Sequence, residues 1–438
     1  MRQDLTILRD RRFGLLLAAR TASVLGSAFG PVALAFGVLA LPGATPTTLS
    51  VVVAAESVSM VAFMLIGGVV ADRLPRFRVM VAADLAAALA WGGLAGMLVT
   101  GWAPMWLLVA VSAVAGAATA LFFPAFTGVV PEVVPAAQLQ TANGLLRLAM
   151  NLARILGFAL AGAAVALLGA GWAVAVNAGL LVVSAALIAA LRLPVTIRGE
   201  PGHLLRDLRE GWREFRSRQW LWVVVVQYSF VVMVLQGVWG VLGPVVANAR
   251  LGGARGWSWV LAAESIGMLA GVVIAIRTRV ARPIRLVVLV TFLFAGVPLA
   301  MGLGAPLIVI VAAALVGGVA IDITMVVWET TMQREIPAEM LSRVSSYDGL
   351  GSLMFGPIGL LLAGPAVVHL GTAPALLVSA GIIVLASLGA LCSPGVRRLT
   401  WSRPAGEPDA DAAAGRAQVG PVQAEPVLAA LPSAARVT

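Results

Sequence analysis

The stretch "VVAAESVSM" (Val52–Met60) returns as "VLAAESIGM" (Val260–Met268), 208 residues further along the chain. Each copy sets one carboxylate, Glu56 or Glu264, in the middle of a run that is otherwise apolar enough to lie in lipid. A charge at the centre of a bilayer costs about 2.5–3.5 kcal/mol on insertion scales, so placing it twice in the same context calls for a reason. The medium follows from composition: of 438 residues, 60% are hydrophobic and 11% charged. With a mean hydropathy of +0.98, these values lie far outside the range of soluble domains and describe an integral membrane protein.

Apolar stretches of about 20 residues, enough to cross a ~30 Å hydrocarbon core, recur twelve times. The predicted spans are Phe13–Ala40, Thr47–Val70, Val79–Thr100, Pro104–Phe126, Asn143–Leu168, Trp172–Arg192, Leu221–Val246, Trp257–Ile276, Leu286–Gly304, Pro306–Trp328, Ser345–Val368 and Ala373–Cys392. They read as helices, because a segment alone in lipid must satisfy its own backbone and barrel strands would show ~10-residue alternation. The first run is too long for a signal peptide and no small-residue cleavage pattern follows it.

The net charge of +10 is carried by arginine, since the chain has no lysine. Its placement argues for membrane orientation and not for nucleic-acid binding. The connections after even-numbered spans carry "DRLPRFR" (Asp72–Arg78), "HLLRDLREGWREFRSR" (His203–Arg218) and "RTRVARPIR" (Arg277–Arg285), and only Arg250 and Arg255 lie on the other side. The positive-inside rule then puts both termini in the cytoplasm. Cys392 is the single cysteine and the histidines are His203 and His369. No disulfide, cysteine or histidine metal site, or cofactor is expected.

A second echo pairs "VPAAQLQTANGL" (Val134–Leu145) with "IPAEMLSRVSSY" (Ile336–Tyr347), offset by 202 residues. Six spans separate the copies of both echoes, so the chain reads as a tandem duplication. The expected organisation is a cytoplasmic N-terminus (1–12), a six-helix half (13–192), a joint (193–219), a second half (220–393) and a disordered cytoplasmic tail (394–438). Leu204, Leu208, Trp212 and Phe215 fall at helical spacing opposite Arg206, Arg209, Arg213 and Arg216, a helix lying in the interface. Two repeated halves around a midplane site are the plan of a transporter that works by alternating access.

The connection "GVVADRLPRFR", with Gly68, Asp72, Arg73, Arg76 and Arg78, resembles the Gly-x-x-x-Asp-Arg-x-x-Arg signature of the major facilitator superfamily, with Pro75 where glycine is usual. "LRDRRFGLLLAARTASVLGSAF", "FFPAFTGVVPEVVPAAQLQTANGL" and "QREIPAEMLSRVSS" are similar to the branch containing the bacterial enterobactin exporter. That resemblance implies an all-α fold of twelve helices in two pseudo-symmetric halves in a bacterial inner membrane. It also implies proton-coupled export of small hydrophobic or siderophore-like molecules. The antiporter signature of the fifth helix survives only as "GFALAG" (Gly157–Gly162), while "GPIG" stands at Gly356–Gly359 in the eleventh. Asp72 is expected to latch a cytoplasmic gate with Arg76 or Arg78 of its own turn, or with an N-terminal helix end of the other half.

Charged residues inside the spans are Arg20, Glu56, Asp84, Arg147, Arg154, Glu264 and Asp322, with Glu329 and Asp348 nearer the cytoplasmic ends. At 1.5 Å per residue, Arg154 and Glu264 lie at similar depth, roughly 20 Å in. The fifth and eighth helices of the resembled fold face each other, so the pair is expected to form an interdomain switch. Glu56 has no evident cation, and a carboxyl group desolvated alone is cheapest when protonated. Glu56, Glu264 and Asp322 are therefore the candidate proton carriers. Asp84 and Arg147 look like supports of the cytoplasmic gate.

Candidate cavity residues are Arg20, Phe29, Phe36, Phe122, Phe123, Gln227, Tyr228, Phe230, Gln236, Trp239, Met325 and Trp328, a mostly apolar and aromatic set that suits an amphiphilic substrate. Arg20 could hold an anionic group. An enzyme is not expected: no nucleophile or metal constellation is legible, and a chain without lysine has no Walker motif for ATP. The expected partners are a small molecule, protons and lipid, with the protein a monomer. A proton-coupled nutrient importer, or a receptor of the same fold, is the competing reading.

Overall fold

The computed structural model describes residues 7, 10–135, 138–191, 212–277 and 280–400, except for the side chains of 65–73, 123–124, 127–128, 131–132, 140, 338–339, 342–343, 346 and 350. Every described regular element is a helix. The first half holds α1 (Arg11–Leu39), α2 (Pro46–Arg73), α3 (Arg76–Thr100), α4 (Met105–Val133), α5 (Leu139–Leu168) and α6 (Ala170–Ala189). The second holds α7 (Gln219–Arg250), α8 (Gly253–Arg277), α9 (Pro283–Gly302), α10 (Leu307–Glu335), α11 in two pieces (Ala338–Met354 and Gly356–Leu370) and α12 (Thr372–Cys392), followed by the short α13 (Pro394–Arg398). Twelve of these helices are long and apolar enough to span a bilayer, in the number and order the sequence predicts. The described parts of the arginine-rich connections, 74–78, 212–218 and 280–285, fall at one end of the bundle, here called the arginine-rich end.

The duplication is visible in backbone detail. The α5–α6 junction turns at Gly169 (φ 86°, ψ 158°) and the α11–α12 junction at Gly371 (φ 87°, ψ 162°), a conformation that only glycine adopts freely. These glycines are 202 residues apart, the offset of the second echo. In α1 and α7, Phe13 and Leu221, Leu16 and Val224, and Ala19 and Gln227 are buried in register at an offset of 208.

The repeated carboxylates sit at matching helix crossings. On α4, a Cβ at Gly116 would collide with the backbone carbonyl of Glu56 on α2. On α10, a Cβ at Gly318 would collide with the backbone carbonyl of Glu264 on α8, and on α8 a Cβ at Gly267 or Gly271 would likewise collide with backbone carbonyls of α10. Small residues let helix backbones approach closely where lipid supplies no hydrophobic drive for association.

Three apolar cores divide the molecule. One draws on both halves, joining Val32, Leu49, Leu94 and Ala161 to Val238, Val260, Met301 and Leu376. The other two lie toward the arginine-rich end, each confined to one half: Phe13, Met80, Phe126 and Ile188 in the first, and Leu221, Val288, Met332 and Val396 in the second. Across the opposite end run two seams between the halves. Gly162 of α5 lies against Ser258 and the Ala254 carbonyl of α8, and Gly364 of α11 lies against Ser50 and the Pro46 carbonyl of α2. The halves thus share a core at the seam end and keep separate cores at the arginine-rich end.

Residues 212–217 form a short helix whose Trp212 and Phe215 pack on Tyr347 of α11, with ring centroids 5.5 and 6.0 Å apart. Arg213 and Arg216 are exposed; Leu204, Leu208, Arg206 and Arg209 lie outside the described residues. Part of the tail expected from 394 packs on the second half, because α13 tucks Val396 fully into its core. Of the expected tail, 401–438 lies outside the described residues.

The crossings predict opposite outcomes at adjacent glycines. Gly318→Ala must force α8 and α10 apart and is expected to cost about 1–3 kcal/mol, while Gly317, with open space where its Cβ would go, should tolerate alanine. Thermal unfolding in detergent checks this, with a lowered midpoint for Gly318→Ala alone.

Candidate functional site

The intramembrane charges form a layer that crosses between the halves, with Arg154 of α5 at its centre. The guanidinium is in electrostatic range of Arg20 on α1, Glu264 on α8 and Asp322 on α10. Arg154 and Glu264, expected to meet in one access state, are in electrostatic range here without a direct ion pair. Instead Arg154 Nη1 points at the sulfur of Met268, 3.8 Å away and one turn beyond Glu264. One cation is shared electrostatically by two acids of the opposite half, because Gly271 brings α8 within contact of Asp322 Cβ on α10. Arg147 also lies in range of Asp322, and so does the like charge of Glu329. Glu56 on α2 has no charged group in range among the described residues.

A second cluster occupies the arginine-rich side of the first half. Arg20 sits over the rings of Phe122 and Phe126 on α4, at 5.3 and 4.7 Å from their centroids, in cation–π geometry. Its Nε lacks a hydrogen-bond partner. The anion in its range is Asp84 of α3, which is 3% exposed and accepts a 2.6 Å hydrogen bond from Ser184 Oγ of α6. Arg20 is thus committed to its own half. The sequence placed Asp84 near a gate but did not connect it to Arg20.

The second half holds a cavity of about 310 Å3 where its first half holds Arg20. Its walls include Tyr228 of α7, Thr324, Met325 and Trp328 of α10, and Asp348 and Ser352 of α11. Trp328 Nε1 donates to Asp348 Oδ2 at 3.1 Å.

Of the candidate cavity residues, Tyr228, Met325 and Trp328 therefore share one wall. Phe29 and Phe36 are buried in the shared core. Gln227, one residue before Tyr228, turns the other way and donates to Ser387 of α12 at 3.1 Å. Trp239 packs on Trp257 with centroids 5.3 Å apart, Phe230 packs on Phe355, and Gln236 lies beside Gly356. Phe123 lies outside the described side chains, as do Gly68, Asp72 and Arg73 of the gate signature; Arg78 lies over the ring of Phe77.

The crossing glycines Gly116 and Gly318 escaped the sequence reading, although their separation repeats the 202-residue offset of the second echo. No group of histidine, cysteine, aspartate and glutamate able to hold a metal is present among the described residues.

Ser184→Ala removes a donor from a buried carboxylate, an interaction to a charged group worth about 1.5–3 kcal/mol. A fall of that size is expected in unfolding stability in detergent, against none for Ser217→Ala, whose exposed hydroxyl bonds its own helix at Glu214.

Comparison with known proteins agrees with this architecture. The nucleoside transporter NupG superposes with a TM-score of 0.72 at 12% identity, over 87% of this chain and 98% of that one. A bacterial homologue of the iron transporter ferroportin in an inward-facing state gives 0.69 at 16% identity, over 87% and 98%. A bacterial homologue of the human lysosomal transporter Spinster, inward-facing and unoccupied, gives 0.68 at 14% identity, over 90% and 99%. At such identities the likeness is one of fold. No curated protein matches the sequence significantly. The profile of the Major Facilitator Superfamily matches residues 13–353. With its twelve helices in two repeated halves, the chain belongs to the major facilitator superfamily, and is a multi-pass membrane transporter.

Proposed function

We propose that the protein exports small hydrophobic or amphiphilic molecules, such as drugs, antibiotics or siderophores, in exchange for protons, as a monomer in a bacterial plasma membrane with both termini cytoplasmic. The observation that carries the reading is the pair of carboxylates at equivalent crossings, Glu56 on Gly116 and Glu264 on Gly318. Neither makes a direct ion pair among the described residues. A lone carboxylate suits a proton, whereas sodium or other hard cations want several converging oxygens.

With the arginine-rich end cytoplasmic, the separate cores at that end support a protein that opens to the cytoplasm, the side from which an exporter loads. Charged Glu264 and Asp322 attract Arg154 across the α5–α8 contact and hold the empty protein in this state. Substrate entering between the halves weakens that hold, the seams at Gly162 and Gly364 part, and protons from outside neutralise the carboxylates before the return. Gradient-driven export needs this order, because an empty, deprotonated carrier that switched freely would dissipate the gradient without moving substrate.

The test is proton flux in vesicles holding a trapped pH dye, with a panel of hydrophobic drugs and siderophores under an imposed gradient. Substrate-dependent flux is expected in the parent protein, with a loss of at least about tenfold in Glu56→Gln or Glu264→Gln. Unchanged flux in both variants would return the carboxylates to a structural role. Substrate and proton moving in the same direction would make the protein an importer.

A further inference from the structure

The duplication supplies a template for the cavity of the second half. Arg20 and Tyr228 are equivalent at the 208-residue offset of Glu56 and Glu264. Phe122 and Thr324, and Phe126 and Trp328, are equivalent at the 202-residue offset of Gly116 and Gly318. In the first half this position is filled by the chain's own cation: a guanidinium against two rings, with Asp84 in range. In the second half the arginine has become tyrosine and one ring has become the small Thr324. What remains is a space of about 310 Å3, within the range of small-molecule pockets.

The cavity keeps the groups that would receive a cation, and among the described residues no basic side chain fills it. Trp328 retains an aromatic face at the position of Phe126. Asp348 brings a carboxylate from α11, held in place by Trp328 Nε1 and by Ser352. The other charge in its range is Glu329, a second anion, and no basic group in range is found among the described residues. Thr324, 3% exposed, also lines the cavity, and its hydroxyl has no hydrogen-bond partner. A carboxylate needed only as an acceptor for Trp328 and Ser352 could be replaced by a neutral amide at lower desolvation cost. A negative charge, an unpartnered hydroxyl and empty space around an aromatic face together describe a receptor for a positively charged apolar body.

We propose that this cavity binds a lipophilic organic cation, an amine or guanidinium on a ring-sized apolar body, with Asp348 as its counter-ion and Trp328 as the face it rests on. The inference rests on reading the protein as a carrier of small amphiphilic molecules and narrows that class to cationic ones. Arg20, committed to Phe122, Phe126 and Asp84, is the chain's internal counterpart of the ligand and not the anchor of an anionic substrate.

Equilibrium binding to the full-length protein in nanodiscs of zwitterionic phosphatidylcholine, without a gradient, tests this directly. The probes share one naphthyl ring and differ in charge: naphthylmethylamine, naphthylmethanol and naphthylacetate. The amine is expected to bind at least about ten times more tightly than the alcohol, and the acetate most weakly. Asp348→Asn should bring the amine to the level of the alcohol while leaving alcohol binding intact, which also reports that the cavity has folded. Alcohol or acetate binding as tight as that of the amine, or an amine preference that survives Asp348→Asn, would overturn the proposal. The probe series on the unsubstituted protein decides even if Asp348→Asn does not fold. Because no gradient is imposed, a failure of proton coupling and a failure of cation selectivity show in separate experiments.

Discussion

Two backbone carbonyls, those of Glu56 and Glu264, rest on glycines of a neighbouring helix, and much of the architecture depends on that approach. In lipid there is little hydrophobic gain in bringing helices together, so close van der Waals packing at small residues must supply it. The crossings of α2 on α4 and α8 on α10 fix the carboxylates where their own backbone is least able to move. A charged side chain on a rigid crossing can change protonation without disturbing the helix that carries it.

Around those crossings the two halves have diverged in charge while keeping their frame. The first half fills its pocket with Arg20 and satisfies Asp84 with Ser184. The second half leaves the equivalent space open and lines it with Asp348, Trp328 and Thr324. Between them Arg154 reaches toward Glu264 and Asp322 without closing on either. A shared cation is a weaker tie than a direct buried pair, whose rupture would strand two charges. Weak coupling of this kind suits an element that must exchange partners during a cycle.

The twelve helices, their order and their duplication were legible in the sequence because hydropathy over ~20 residues is a local property, and because the "AAES" repeat and the second echo mark equivalent helices. What was not legible depended on rotation about the helix axis. Gln227 and Tyr228 are adjacent in the chain, yet one faces α12 and the other a cavity. Phe29 and Phe36 read as cavity aromatics and are core residues, since an apolar ring carries no mark of which face it will occupy. Depth along the axis placed Arg154 level with Glu264, but side-chain reach decided that it would meet Met268.

The central claim is that charge on the repeated carboxylates holds the empty protein open at the arginine-rich end, so that neutralising Glu56 and Glu264 releases it to populate both states. Electron–electron distance measurements between spin labels test it most directly. One pair would sit at exposed positions of the seam end, Trp102 and Leu303, and one at the arginine-rich end, Leu74 and Arg282. In the Glu56→Gln, Glu264→Gln double variant the account predicts a population with the seam-end distance lengthened and the arginine-rich-end distance shortened, appearing in the parent only on acidification. Distance distributions that are identical in parent and variant at every pH, or two ends that widen together, would contradict it.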